Sequence, residues 1–391
     1  MRELLEGSQA VAEGVRLCKP AVISAYPITP QTHIVEELAS IIAAGKLRAE
    51  FVNVESEHSA ASVVLGASAT GVRSFTATSS QGLLLMAEVV FNIAGMRLPV
   101  VMTCANRSIS APLNIWNDHQ DAITVRDSGW VQLHAENIQE ALDLHIQAYR
   151  IGEAPKIMLP VMVNMDGFIL THGIETVDVP TQEQVDSFLP EYRPLYKLDV
   201  DNPLTLGPLV GPDYYMEARF AVQETHKDVL QLIPLVRGEF EKAFGRSSGG
   251  LVEPYRIDGA EKVIVAMGSV CGTIKDVVDS LRAKGKKVGL LRIITYRPFP
   301  IQEIYRALKD IPKVAVLEKA VSLGSYGPLF SEICAVFSSK QKSPLLSSFV
   351  IGLGGRDITV DSIKEVFKRL TATPVRGEYI DLKPELLQET I

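Results

Sequence analysis

Short apolar runs rich in β-branched residues alternate with longer stretches of helical spacing along most of the chain. Ala21–Ala25, Phe51–Val54, Val72–Ala77, Leu98–Cys104, Val131–His134 and Ile157–Asn164 are each too short for a stable helix. Their composition suits a pleated, buried surface, so each predicts a strand. Between them the pattern predicts helices over Ser8–Leu17, with Ser8 as N-cap, over His33–Ala44, ended by Gly45, and over Leu83–Ala94 and Asn137–Ile151. His58–Val72 predicts a helix of another kind. It holds fifteen residues without one Lys, Arg, Asp or Glu, mostly Ala, Ser, Val and Gly, a surface that neighbours can approach closely.

Asp166–Leu209 breaks the alternation. It is proline-rich and irregular, and reads as an extended arm, about 166–215, running over a surface. A long amphipathic helix, Met216–Phe244, and a flexible joint, Gly245–Gly250, follow it. From Ala260 the alternation resumes, with strands at Lys262–Met267, Lys287–Ile293, Lys313–Leu317 and Ser347–Ile351. Helices at about Thr273–Lys284, Gln302–Leu308 and Tyr326–Ser338 lie between them. Strands alternating with helices mean mainly parallel sheets covered on both faces. The fold class is therefore α/β with two doubly wound units, a first domain over 1–245 and a second over 256–391.

The 391 residues are 47% hydrophobic with a net charge of −7. That charge, with no basic tract or zinc-type Cys/His spacing, argues against a nucleic-acid partner. Glu88, Asn92, Arg97 and Pro99 interrupt the apolar stretch Leu83–Met102, so no membrane span is expected. The first residues are partly acidic and lack the apolar core of a secretion signal, which points to the cytoplasm. Cys18, Cys104, Cys271 and Cys334 lie at least 60 positions apart, so no iron–sulfur cluster motif is present.

Three junctions carry candidate chemistry. Tyr26-Pro27-Ile28-Thr29-Pro30 holds its backbone extended and turned at a strand end, presenting Thr29 from a rigid loop. Glu57 sits where a strand gives way to the small-residue helix, the position at which open α/β sheets place their sites. It also suits a plain helix-start carboxylate. Arg107 follows a strand end and opens the sixteen-residue loop Asn106–Asp121, long enough to suggest function. Its guanidinium can clamp a carboxylate, or pair with Asp118 or Asp121. His119 has no spaced metal partner and reads as structural, and no metal ligand set is expected. Gly352-Leu353-Gly354-Gly355 resembles a phosphate nest, a weak signal alone.

YPITP, VESEHSA, TSSQGLLLM, NRSISAPLNIWNDHQD, GPDYYME, TYRPFP and IGLGGRD stand in this order along the chain. With these motifs the chain resembles the α subunits of the multi-subunit 2-oxoacid:ferredoxin oxidoreductases, most closely the pyruvate type. The resemblance implies a pyrimidine-binding domain of a thiamine pyrophosphate enzyme, followed by a transketolase C-terminal-like domain. It implies that Glu57 hydrogen-bonds the cofactor's aminopyrimidine, that Tyr26, Pro27 and Ile28 line the cofactor, and that Thr29 and Arg107 meet the substrate, Arg107 at its carboxylate. Thiamine pyrophosphate is then shared with a β subunit carrying the diphosphate site and a 4Fe–4S cluster. Mg2+ and the other clusters belong to partners, including γ and ferredoxin-like δ subunits. Coenzyme A is a co-substrate and ferredoxin the electron acceptor. The alternatives are a relative acting on 2-oxobutyrate or a branched-chain 2-oxoacid, and a non-catalytic scaffold.

Overall fold

The computed structural model describes residues 2–389 and forms two compact units, Met1–Leu251 with Ile294–Pro300, and Val252–Ile293 with Ile301–Ile391. In the first unit the strands are β1 (Arg2–Glu6), β2 (Val22–Ser24), β3 (Glu50–Val52), β4 (Ser74–Thr78), β5 (Val101–Asn106), β6 (Val131–His134), β7 (Val161–Asp166) and β8 (Ile174–Asp178). The helices are α1 (Gly7–Leu17), α2 (Thr32–Ala43), α3 (Glu57–Ala69), α4 (Ser80–Leu85), α5 (Ala87–Gly95), α6 (Gln120–Thr124), α7 (Ile138–Gly152), α8 (Gln182–Phe188) and α9 (Pro212–Phe244).

A seven-stranded sheet runs β6, β7, β5, β4, β2, β3, with the Thr295–Arg297 strand outside β6. All pairings are parallel except that of Thr295–Arg297. This edge strand comes from inside the span expected for the second domain, and its three residues are too few to read from the sequence. Alternate side chains serve opposite layers, as a strand's period of two requires. Phe75, Val101 and Val161 face the core formed with α1 and α7, while Met102, Cys104 and Met162 face the core formed with α3 and α5. Strand β2 lies between β3 and β4, so the direction of winding reverses at β2/β4. In open α/β sheets ligands bind outside the strand ends at such a point.

Several expectations need correction. Ser8 lies inside α1 with its hydroxyl donating to the Thr171 carbonyl at 2.9 Å, and Glu6 is the N-cap residue. The arm is not wholly irregular: β8 pairs antiparallel with β1, and α8 follows under a Thr181 cap. Helix α9 starts at Pro212, where a missing N–H costs nothing, and continues through Pro234. The expected Leu83–Ala94 helix is two helices, α4 and α5, with Met86 between them.

The second unit has a six-stranded sheet in the order Glu378–Tyr379, Leu345–Val350, Lys313–Glu318, Lys262–Ala266, Val288–Ile293, Val252–Tyr255. Only the last strand is antiparallel to its neighbour. Helices Val270–Ala283, Ile301–Leu308 and Pro328–Phe337 fall where the spacing predicts them, and Val360–Arg369 adds a fourth. The Gly352–Gly355 turn closes on itself, Gly355 N–H to the Gly352 carbonyl and Arg356 N–H to the Leu353 carbonyl, both 3.3 Å. The Gly355 amide and that of the following Arg356 are thus already spent, which weakens the phosphate-nest reading.

Candidate functional site

Because β2, β3, β4, β5 and β7 are parallel, the segments that leave their C-terminal ends emerge along one edge of the sheet. Glu57 is the first residue of α3. Ser56 caps that helix, its Oγ accepting from the Ser59 N–H at 3.3 Å. Glu57 is buried, yet no hydrogen-bond donor or cation among the described residues reaches its carboxylate. A methyl group placed on Gly82 in α4 would lie 2.7 Å from Glu57 Oε1 and 2.6 Å from Thr78 Oγ1. The glutamate therefore rests on bare glycine backbone at the end of β4. The Thr78 hydroxyl is buried there without a hydrogen-bond partner. Such groups cost free energy unless something completes them.

Arg107 and Thr29 are in direct contact. The Arg107 guanidinium donates from Nη1 to the Thr29 carbonyl at 2.9 Å and from Nε to the Asn114 carbonyl at 3.0 Å. Its Nη2 has no protein partner among the described residues. Burial pushes its pKa below the usual arginine value, and the Asp121 charge partly offsets this. The guanidinium pairs with neither Asp118 nor Asp121, so it braces the loop through backbone carbonyls. Thr29, Tyr26 and Pro27 are exposed, and Ile28 is half-buried.

The two halves of the site share a polar staple that the sequence reading did not assign. Buried Asp121 accepts from the backbone N–H groups of Ser80 (3.1 Å), Arg107 (2.9 Å) and Ala122 (2.7 Å), and from Asn106 Nδ2 (3.0 Å). Burial raises its pKa and these four donors oppose the rise. The staple fixes the start of α4, against which Glu57 rests, relative to the backbone that carries Arg107. Ser80 sits there at φ +45°, a strained conformation for a residue with a side chain. Gln31 adds a second tie, its Nε2 donating to the Ala77 carbonyl at 2.7 Å and its Oε1 accepting from Ile28 N–H at 3.4 Å. Gly167 packs so closely that a Cβ would fall 2.5 Å from the Asn106 carbonyl oxygen and 2.7 Å from Pro30 Cγ. His119 is buried with Nε2 at 2.7 Å from Asp166 Oδ1, consistent with a structural role.

Known proteins share this fold. The structure superposes with a TM-score of 0.72 on a solved 2-oxoglutarate:ferredoxin oxidoreductase from Magnetococcus marinus. It matches over 95% of this chain and 65% of that one at 20% identity, a likeness of fold. Residues 13–237 match the family described as "Pyruvate flavodoxin/ferredoxin oxidoreductase, thiamine diP-bdg", and residues 260–363 match "Pyruvate:ferredoxin oxidoreductase core domain II". The class is thus that of the thiamine-diphosphate-binding 2-oxoacid oxidoreductases. The pyruvate synthase subunit PorA of Methanothermobacter thermautotrophicus is 52% identical over 98% of this chain and 99% of its own length. The PorA subunit of Methanosarcina barkeri is 49% identical over 98% and 97%. The chain belongs to the pyruvate:ferredoxin oxidoreductase family.

Proposed function

We propose that the chain is the α subunit of a multi-subunit pyruvate:ferredoxin oxidoreductase. That enzyme converts pyruvate and coenzyme A to acetyl-CoA and carbon dioxide, reversibly, with two electrons passed to ferredoxin. The observation that carries this reading is Glu57, a buried carboxylate with no internal partner among the described residues, at the β3–α3 junction of a family member. A thiamine pyrophosphate aminopyrimidine fits such a group, because it offers nitrogen atoms that can share a proton with a carboxyl. When bound, the cofactor supplies the carbanion chemistry by which a 2-oxoacid loses carbon dioxide. Glu57 holds or returns a proton at its Oε atoms. We assign Tyr26, Pro27 and Ile28 to the lining of the cofactor site. Thr29 presents its side chain from a backbone anchored by Arg107, and Nη2 of Arg107, without a partner among the described residues, is left for the substrate carboxylate.

In this reading the chain supplies one face of the active site. It lacks the Gly-Asp-Gly…Asn magnesium-diphosphate motif, which we assign with Mg2+ to a β subunit. Its four cysteines are scattered, and Cys18, Cys104 and Cys271 are buried. The 4Fe–4S clusters are therefore assigned to the β and δ subunits, with γ completing the assembly in the cytoplasm. Among the described residues no helix is long and apolar enough to cross a membrane. The test is reconstitution with partner subunits, followed by ferredoxin reduction that needs both pyruvate and coenzyme A. Faster turnover on 2-oxobutyrate or a branched-chain 2-oxoacid would reassign the substrate, and activity without this chain would reduce it to a scaffold.

A further inference from the structure

Three side chains far apart in sequence meet beside the Thr29 loop. Glu6 ends β1, His33 is the second residue of α2, and His172 lies in the segment between β7 and β8. Glu6 Oε1 lies 2.7 Å from His33 Nδ1. The rings of His33 and His172 stand 4.7 Å apart, centroid to centroid, with their planes 40° apart. One donor atom from each residue falls within 4.8 Å of the other two. His172 Nδ1 is held at 2.7 Å from the Thr171 hydroxyl, so a hydrogen bond to the neighbouring residue orients that ring. Such support is what a metal-binding imidazole ordinarily has on the nitrogen it does not use.

We propose that Glu6, His33 and His172 form a binding site for a divalent transition-metal ion, Zn2+ by donor type. Two imidazoles and one carboxylate make an N2O set, which suits zinc, with copper and nickel as competitors, and does not suit calcium or magnesium. A tetrahedral ion at about 2.0–2.1 Å from each ligand needs ligand atoms ~3.3 Å apart. The present separations, 2.7 Å at the shortest and at most 4.8 Å, bracket that value. His33 is half exposed, so its ring has room to turn toward that spacing. The fourth position is open to water, as in three-ligand zinc sites.

The location gives the site its consequence. His33 follows Thr29 by four residues, and α2 is the helix into which the Thr29 loop runs. His172 stacks on Phe168 at 4.9 Å, and Phe168 lies 6.1 Å from Trp116 in the Arg107 loop. An ion joining Glu6, His33 and His172 would tie the start of α2 to the β1–α1 joint and to the segment after β7, stiffening the backbone that presents Thr29. No spacing rule shows this set, because its members lie at positions 6, 33 and 172.

The untagged full-length chain should be loaded with Zn2+, desalted and assayed for metal by elemental analysis, then titrated in parallel with Co2+ and followed by visible absorption. We expect one equivalent retained per chain and a Co2+ spectrum of low-coordinate, nitrogen–oxygen type. His33→Ala and His172→Ala should each weaken binding by more than the ~10–100-fold that loss of a supporting partner costs. Replacing exposed His58 (His58→Ala) should leave binding unchanged. Glu6→Gln removes only the charge, and covers the event that a histidine variant fails to fold; it should weaken binding while circular dichroism stays unchanged. Failure of the intact chain to retain metal overturns the proposal. So does equal retention by the His33, His172 and Glu6 variants.

Discussion

At the scale of single residues, the two groups that matter most differ in how much structural duty they carry. Glu57 makes no internal hydrogen bond or ion pair among the described residues, so its replacement should barely disturb the fold. Glu57→Gln keeps the shape but cannot give or take a proton. With partner subunits present, turnover should fall by a factor on the order of 100 or more while assembly and melting temperature hold. Turnover within a few-fold of the parent would make Glu57 only a helix-start carboxylate. In the proposed reading Arg107 carries both duties, since its guanidinium also bridges the Thr29 and Asn114 carbonyls. A charge-assisted pair with a carboxylate contributes roughly 1.5–3 kcal/mol, so Arg107→Leu should raise the pyruvate KM by ~10- to 200-fold. It should also lower the melting temperature, because the Thr29 and Asn114 carbonyls lose the guanidinium that joins them. Arg107→Lys recovers only part of either effect, an ammonium having no fork to span both loops. A lower melting temperature with unchanged KM would leave Arg107 the bracing role alone.

Elements show why the carboxylate stands where it does. Helix α4 meets Glu57 through Gly82, and a methyl there would press on Glu57 Oε1 at 2.7 Å and Cγ at 2.8 Å. Alanine favours a helix over glycine by about 1 kcal/mol, so Gly82→Ala should fold, yet displace the carboxylate. Misplacement on the order of 1 Å can cost ~100-fold in rate, and a loss of at least ~10-fold at normal melting temperature is the expected reading. In the second unit, Glu318 ends a central strand and accepts from the Leu329 N–H at 2.9 Å and the Phe330 N–H at 3.4 Å. Burial raises its carboxyl to about 7 against the two amides. The folded state then holds a proton that the unfolded chain has released. This stabilising contribution is full below the ordinary value of 4.5 and is lost as pH rises toward 7. Glu318→Gln should flatten that dependence and raise the melting temperature above pH 7, as a pH series of thermal melts would show. Much of this architecture was legible in the sequence. Buried parallel strands are unbroken apolar runs, and Glu57 stood out against a helix start without charge. What stayed hidden depends on distant pairing: β1, RELLE, reads as polar until β8 lies beside it, and Asp121 looks like one more loop acid until three backbone amides converge on it. Gly82 and Gln31 gave no local signal, since their worth lies in what packs against them.

For the whole molecule, the property that bears on partners is its exposed apolar surface. The segment from Leu195 to Phe220 leaves a series of large apolar side chains in solvent, among them Tyr196, Val200, Leu209, Tyr214, Met216 and Phe220, each more than 60% exposed. Exposed apolar surface of that extent ordinarily marks a contact with another chain. It fits a family whose members include subunits of pyruvate synthase. The chain also carries Glu57 without any magnesium-diphosphate motif, so in the proposed reading it meets one end of thiamine pyrophosphate and leaves the charged end to a partner. Expressed alone, it should therefore be colourless, inactive with pyruvate, and unable to bind thiamine pyrophosphate stoichiometrically in a calorimetric titration. Adding the β subunit should restore binding and, with the remaining subunits, turnover. Replacing Tyr214, Met216 and Phe220 together by serine should weaken co-purification of the partners while leaving the melting temperature of the isolated chain within a few degrees, since none of the three is buried. Stoichiometric, tight binding of thiamine pyrophosphate by the isolated chain would show that the site is complete within it, and the division between subunits proposed here would have to be abandoned.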